Sequence, residues 1–421
     1  MFAIIRRMGL LGVLFIIGAG LLNARTASAA TITASPVPLA DALNGADGVC
    51  SLAEAVIAAN TNSNSHEPAC VAGAALPTID LINVQPGTHY AVDATVNAQT
   101  ALFVSEGVII RGDSANPPTI APGADDISTP SDGQFTNQNN HAFLILSDDI
   151  TIEHVIIDGR ANTALGTDIE FRTGIVSNAL PLDRVTIQDV TIRNVKRRGI
   201  SIAAGFGVVV QRVTVETVET GINGIGIAVF AAEPNADPVI TDNAVSDFGN
   251  GIAVNRLGAA NSGIYTIDEN TISGIQPITL PNVALSYGIL VGGAADGAAV
   301  TDNTVTLTDD SALDIGIYAA QNLNNTPGAA RTLTIADNTV TTAGADIGIL
   351  LYQNAITGSA AFTQTVNITS NTITGSSPVS NGLSSTGIFI GDESQAVTGF
   401  TAVIPAYAVL TGNTISGYQR G

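Results

Sequence analysis

From about residue 140 onward, short runs of β-branched residues alternate with polar corners. Successive segments read TIEHVIID, TIQDVTIR, VVQRVTVE, ITDNAVSD, IDENTISG, VTDNTVTL, IADNTVTT, ITSNTITG and LTGNTISG. Apolar residues fall on alternate positions in each, the period of a strand with one buried face. In most units a second strand follows and opens on Gly-Ile, at Gly199, Gly226, Gly251, Gly288, Gly316, Gly348 and Gly387. Strand spacing is constant while the loops between units drift in length, which is how a solenoid behaves. The pattern predicts an all-β parallel β-helix, with each strand pairing to its counterpart one coil away. A propeller would need about four strands per 40-residue blade. A sandwich would not keep one polar column through so many units.

The fourth residues of the segments form that column: His154, Asp189, Arg212 (or Gln211, if the register slips), Asn243, Asn270, Asn303, Asn338, Asn371 and Asn413. Asparagine tolerates the left-handed backbone of a sharp corner, and stacked amides donate and accept along a column. A structural ladder of Asn243, Asn270, Asn303, Asn338, Asn371 and Asn413 is therefore expected. A second column, two residues later, starts at Ile156 and Thr191 and ends at Ile373 and Ile415, supplying the core.

A solenoid end exposes strand edges and core, so it needs a cap. Ser51-Leu52-Ala53-Glu54 reads as a capping box opening a short amphipathic helix, with Leu52, Ala55, Val56 and Ala59 on one face. Asn60 and the Asn/Ser run after it would end the helix. The chain's two cysteines, Cys50 and Cys70, flank this helix. A bridge between them would contribute roughly 3 kcal/mol in the loop-entropy model; two unpaired buried thiols are the alternative. The expected organisation is a signal peptide over 1–30, a cap over 31–77, and a β-helix of roughly ten to twelve coils over 78–421. The last coil, LTGNTISGYQRG, stops before its Gly-Ile strand, which suggests an incomplete coil that either associates end to end with another chain or reflects a truncated gene product.

Arg6 and Arg7, an apolar run over Gly9–Leu22 and the small residues Ala27-Ser28-Ala29-Ala30 suit a cleaved secretory leader, with a retained anchor as the alternative. Export favours a paired disulfide. No second apolar segment of spanning length follows, so no membrane span is expected after cleavage. Fifteen basic against 36 acidic residues give a net charge of −21, which argues against nucleic acid as a partner.

Cys50–Asn60 (CSLAEAVIAAN), the following Cys70 and Thr78–Val92 (TIDLINVQPGTHYAV) resemble the N-terminal CSLREA module of exported bacterial β-helix proteins. Ala53 departs from the usual arginine of that module, so any contact made by the arginine is absent. The repeats more loosely resemble the pectin-lyase-like superfamily, which implies a right-handed turn and leaves the chemistry open.

Candidate chemistry is sparse. A polygalacturonase-like site would need a Gly-His-Gly, and none exists; all four histidines precede residue 155. The pairs Asp125-Asp126, Asp148-Asp149 and Asp309-Asp310 read as solvated loop tips. Eight of the 15 basic residues lie between Arg160 and Arg212: Arg160, Arg172, Arg184, Arg193, Lys196, Arg197, Arg198 and Arg212. With Asp158, Asp183 and Asp189 nearby, this stretch is a basic patch suited to an acidic polysaccharide. Asp158, Asp189, Arg193, Lys196, Arg197 and Arg198 are its catalytic candidates; the alternative is surface charge on coils that lack the ladder. Tyr265, Tyr287, Tyr318 and Tyr352 fall one per repeat and read as packing or as a sugar platform. No organic cofactor is evident, and Asp-rich loops leave structural Ca2+ open. The expected function is a secreted or surface rod, structural, adhesive or polysaccharide-contacting. The alternative is a lyase or hydrolase acting on an acidic polysaccharide near residues 154–212.

Overall fold

A computed structural model describes residues 29–92, 100–123, 140–162, 171–177, 181–218, 224–232, 236–256, 265–275, 285–292, 298–307, 313–322, 331–343, 346–354, 364–376, 385–391 and 407–418. Residues 1–28 of the expected leader, with Arg6, Arg7 and Arg25, and the pairs Asp125-Asp126 and Asp309-Asp310 lie outside these residues. Every described strand pairing is parallel, and each strand pairs with counterparts one coil away. One coil consists of Val239–Thr241 on a first face, Ala244–Phe248 on a second and Asn250–Arg256 on a third. Among the described residues, twelve strands stack on the first face. The second and third faces merge into one sheet because Thr191–Ala204 runs through both without a break. The chain is thus a parallel β-helix.

Stacking equivalent positions puts like on like. The middle residue of each first-face strand points inward, so Ile187 lies on Val210 and Val210 on Ile240, all fully buried. On the second face the inward column is Ile157, Ile192, Val215, Val245, Ile272, Val305, Val340 and Ile373. In the first three units this is one residue later than the alternation predicted. The Gly-Ile glycines face inward against this column. A Cβ on Gly288 would lie 2.3 Å from Val305 Cγ1 and 2.7 Å from the Gly316 carbonyl oxygen, so no larger residue fits there.

The expected Asn ladder is present. Asn243 Nδ2 donates to Asn270 Oδ1 (2.9 Å), Asn270 to Asn303 (2.9 Å), Asn303 to Asn338 (3.0 Å), Asn338 to Asn371 (2.9 Å) and Asn371 to Asn413 (2.9 Å). The left-handed corner, however, is not at the asparagines. It lies one residue earlier, at Asp242, Glu269, Asp302, Asp337 and Ser370, with φ between 54° and 59°. Strand register aligns these with His154, Asp189 and Arg212, which share the conformation. The true predecessors of the ladder are Val155, Val190 and Val213, buried apolar residues. The reason is backbone pairing. At the corner, the Asp189, Arg212 and Asp242 amides each donate to a carbonyl of the next coil, which needs the turned-out conformation there.

The N-terminal cap is built as its residues suggest, with one addition. The first strand of the solenoid, Thr31–Ala34, precedes the helix and pairs with Asp80–Val84, so the β-helix begins before residue 78. Helix α1 spans Leu52–Thr61. Ser51 Oγ accepts from the Glu54 amide and Glu54 Oε2 accepts from the Ser51 amide, a reciprocal capping box. Asn62, left-handed, ends the helix. Asn60 instead covers a strand edge: its Nδ2 donates to the Phe103 carbonyl (2.6 Å) and its Oδ1 accepts from the Ser105 amide (2.9 Å). Cys50 and Cys70 form the disulfide. At the other end, Tyr418 turns inward over the core, its hydroxyl 2.8 Å from Thr342 Oγ1 and its ring against Gly375. No helix among the described residues is long and apolar enough to cross a membrane.

Two predictions follow from this architecture. Asn303→Val would strand the Asn270 amide and one of the two Nδ2 hydrogens of Asn270, and would take the Asn303 donor from the Ile267 and Thr301 carbonyls, of which Thr301 keeps the Glu269 amide. At about 1–3 kcal/mol per stranded buried group, it should cost on the order of 3 kcal/mol or more in denaturant unfolding. Asn243→Val, beside Val213 at the ladder's end, should cost less; equal losses would show that the ladder does not act as a chain of bonds. Cys50→Ala with Cys70→Ala should lower stability by roughly 3 kcal/mol without changing the circular dichroism of the folded protein.

Candidate functional site

The basic stretch does not form one patch. Coil geometry splits it between exposed corners, where charges are paired, and the third face, where they are buried. On the corners, each carboxylate meets an arginine one coil later. Arg184 is bidentate to Asp149 (2.5 and 2.8 Å), and Arg212 is bidentate to Asp189 (2.8 and 2.9 Å). On the second face the register sets Asp158 opposite Arg193, whose Nε donates to it at 2.8 Å. Asp158 also accepts from the Arg160 amide (2.9 Å) and from Asn194 Nδ2 (2.8 Å).

A parallel polar column runs along the end of the first face. Arg111 Nε donates to Glu153 Oε1, Gln188 Nε2 donates to Glu153 Oε2, and Gln211 Nε2 donates to Gln188 Oε1. Gln211 therefore belongs to this column, and Arg212 to the corner. Neither Arg111 nor Glu153 was singled out from the sequence. Both are legible once Glu153, Gln188 and Gln211 are read as the third residues of stacked triplets.

These pairings hold carboxylates ionised. The hydrogen bond from Arg184 holds the Asp149 carboxyl below the usual carboxylate range, and that from Arg212 does the same for Asp189. Burial pushes the Glu153 carboxyl up, but hydrogen bonds from Arg111 and Gln188 outweigh it and leave the pKa lowered. At the left-handed corner, Asp242, Glu269, Asp302 and Asp337 stand one per coil and do not converge. Among the described residues, no three His, Cys, Asp or Glu side chains gather as metal ligands.

The third face carries the remaining arginines. Arg172, Arg197 and Arg198 are 2%, 4% and 6% exposed. Phe171 pairs with Val195 and Thr173 with Arg198, so a bulge brings Lys196 and Arg197 beside Arg172 on the preceding coil. Lys196 is half-buried. Arg198 Nη1 donates to Ser201 Oγ (2.8 Å), and its guanidinium sits 5.5 Å from the Phe230 ring centre. Burial, then the charges of Arg197 and Arg172, bring the Arg198 pKa down to about 10, against the pull of Tyr287. Burial pushes the Tyr287 phenol up to about 12, with Arg198 opposing. Tyr287, Tyr318 and Phe230 pack on an outer apolar cluster of Ile225, Ala228, Ala253 and Leu290. The tyrosines do not form one platform: Tyr265 is buried in the main core, and the Tyr352 side chain lies outside the described residues.

Residues 127–305 match the family described as "Right handed beta helix region". The chain is a right-handed parallel β-helix. No curated protein matches this β-helix in sequence. Among solved structures, it is similar to the A-module of Azotobacter vinelandii mannuronan C-5 epimerase AlgE4, at 15% identity over 81% of this chain and 87% of that one, with a TM-score of 0.37. It is similar to a mannuronic acid specific polysaccharide family 6 lyase from human gut microbiota, at 8% identity over 87% and 82%, with a TM-score of 0.37. Pectin methylesterase PemA from Erwinia chrysanthemi is similar at 11% identity over 91% and 100%, with a TM-score of 0.30. Likenesses this distant carry no argument about activity.

The corner pairs of the β-helix make a pH prediction. A carboxyl whose folded pKa is lowered contributes stability above its unfolded pKa, and that stability is lost as pH falls through the folded value. For Asp149, Asp189 and Glu153 the loss should begin below about pH 4.5. Because both partners of the Asp189–Arg212 pair are partly exposed, it is worth at most about 1 kcal/mol. Unfolding free energies from neutral to acid pH should show a shallower acid slope for Arg212→Gln than for wild type. An unchanged slope would show that the pair does not couple to folding.

Proposed function

We propose that the chain acts as an extracellular rod, a structural and binding element that contacts polysaccharide rather than cutting it. The observation that carries this reading is the locking of both candidate acids, Asp158 to Arg193 and Asp189 to Arg212. A general acid or base works best with a pKa near the operating pH and a free path to the substrate's proton. The arginine partner moves Asp189 away from that range, and three donors occupy the Asp158 carboxylate. The disulfide and the leader-like N-terminus support an exported location. The acidic composition disfavours nucleic acid and leaves cell-surface glycan as the partner class.

A second reading rests on the gathering of Arg172, Arg197 and Arg198 on the third face. It is a lyase acting on an acidic polysaccharide from the coils around 154–212. One screen separates the two. Incubation with pectate, alginate and glycosaminoglycans, with and without Ca2+, should yield no unsaturated uronate and no new reducing ends, while at least one of these polymers retards the protein in affinity electrophoresis. Product formed by wild type and lost in Arg197→Ala or Arg198→Ala would replace the rod with the lyase.

A further inference from the structure

We propose that the open edge of the last described coil is a self-association surface, on which a second copy of this chain docks tail to tail about a two-fold axis. Four observations meet there.

The first is the edge itself. Tyr407–Thr411 pairs with Gln364–Thr369, Thr414–Ser416 with Thr372–Ser376, and Thr386–Gly391 with Ile347–Asn354. Among the described residues, no strand pairs with the far edge of Tyr407–Thr411, Thr414–Ser416 or Thr386–Gly391. Such a row of backbone donors and acceptors is a template for another strand.

The second is a core sealed at one end only. Register sets Leu410 on Ile368 and Ile390 on Leu351. Ile368 and Leu351 are fully buried, whereas Leu410 is 48% and Ile390 37% exposed. Tyr418 covers the part of this end beside Thr342 and Gly375 and leaves Leu410 open. At the opposite end, Ile32 and Ala34 of the first strand are fully buried, with helix α1 packed on that strand. The capping box and the disulfide fix that helix in place. A head-to-tail stack would have to displace it, while two open ends meet directly.

The third is charge. A two-fold interface brings like residues together, so charges within it repel. The corner column of Asp242, Glu269, Asp302 and Asp337 continues as Ser370 and Gly412, which are neutral. The strands QTVNIT, TITGS, TGIFIG, YAVLT and TIS of the last two described coils carry no charged residue, in a chain of net charge −21. Edges kept apart in solution are ordinarily blunted by charge, and this one is not.

The fourth is the ladder. From Asn243 to Asn371, the backbone amide and Nδ2 of each rung donate to Oδ1 of the next. Asn413 accepts from Asn371 and donates through Nδ2 to the Ile368 carbonyl (2.6 Å). Its amide and second Nδ2 hydrogen stand where a next rung would accept them. A two-fold axis across the end lays Tyr407–Thr411 antiparallel to its own copy and supplies carbonyls there. The surface is used up in pairing with itself, so association stops at two and gives a rod of double length with a helical cap at each end.

Light scattering after size-exclusion chromatography, with small-angle X-ray scattering, tests this on the full chain. The wild type should be a dimer with a maximum dimension near twice that of the monomer. Val409→Asp, at an exposed position beside Leu410, should raise the dimer dissociation constant about tenfold or more, because like charges meet across the axis. Thr411→Asp, exposed on the same strand, should do the same and covers the case in which the first variant does not fold. Val71→Asp, exposed in the N-terminal cap, should leave the dimer intact. A wild type that stays monomeric up to its solubility limit, equal loss in Val71→Asp, or a mass that climbs past two copies with concentration would overturn the proposal. None of these outcomes depends on polysaccharide, so the functional reading above stands or falls separately.

Discussion

Coil-to-coil backbone pairing in fixed register is the constraint on which this protein depends. Each residue is forced onto its counterpart about 5 Å away, again and again. A side chain is therefore judged by what it does to a stack rather than by its own burial. Ile and Val succeed inside because a column of them closes without voids, as Ile187, Val210 and Ile240 do. Asparagine succeeds because its amide donates to the next rung and accepts from the last, so the Asn303 side chain serves both Asn270 and Asn338. Glycine succeeds where the third face turns inward and the next coil's carbonyl occupies the space of a Cβ.

The same constraint explains what was legible in the sequence. Periodicity two, repeated segments and the Asn column are products of stacking, so they identified the solenoid, its ladder and its core from Val245 onward, while the core of the first three units lay one residue later than expected. The capping box was legible because Ser51 and Glu54 act within one helical turn, where spacing alone decides the contact. The one-residue displacement of the corner was harder to see. His154, Asp189 and Arg212 look like substitutes for asparagine only when segments are aligned by their polar residues. Backbone register aligns them with Asp242, Glu269 and Asp302 and gives the asparagine position to valine.

The candidate site was less legible, because a run of basic residues in sequence is spread around a coil in space. Arg193 and Arg198 are five residues apart, yet one faces Asp158 on the second face and the other lies beneath Phe230 on the third. Which arginines gain a carboxylate depends on which residue stands one coil away, and loop lengths between coils vary. Asp158 and Arg193 are 35 residues apart, Asp189 and Arg212 only 23. No fixed spacing marks such a pair, so charge composition described the stretch correctly but could not say which charges would be paired and which buried together.

Along the rod the two halves handle the exposed corner differently. In the first half the column holds His154, Asp189 and Arg212, and opposite charges on successive coils attract. In the second it holds Asp242, Glu269, Asp302 and Asp337, like charges one coil apart that repel through water. The Asn ladder occupies the very next position in that half alone. Each rung there adds side-chain bonds between coils that the valines of the first half cannot make. Ladder and carboxylate column therefore belong together: the buried amides hold the coils that the surface charges push apart. The acidic corner is tolerated because cohesion lies one residue inward.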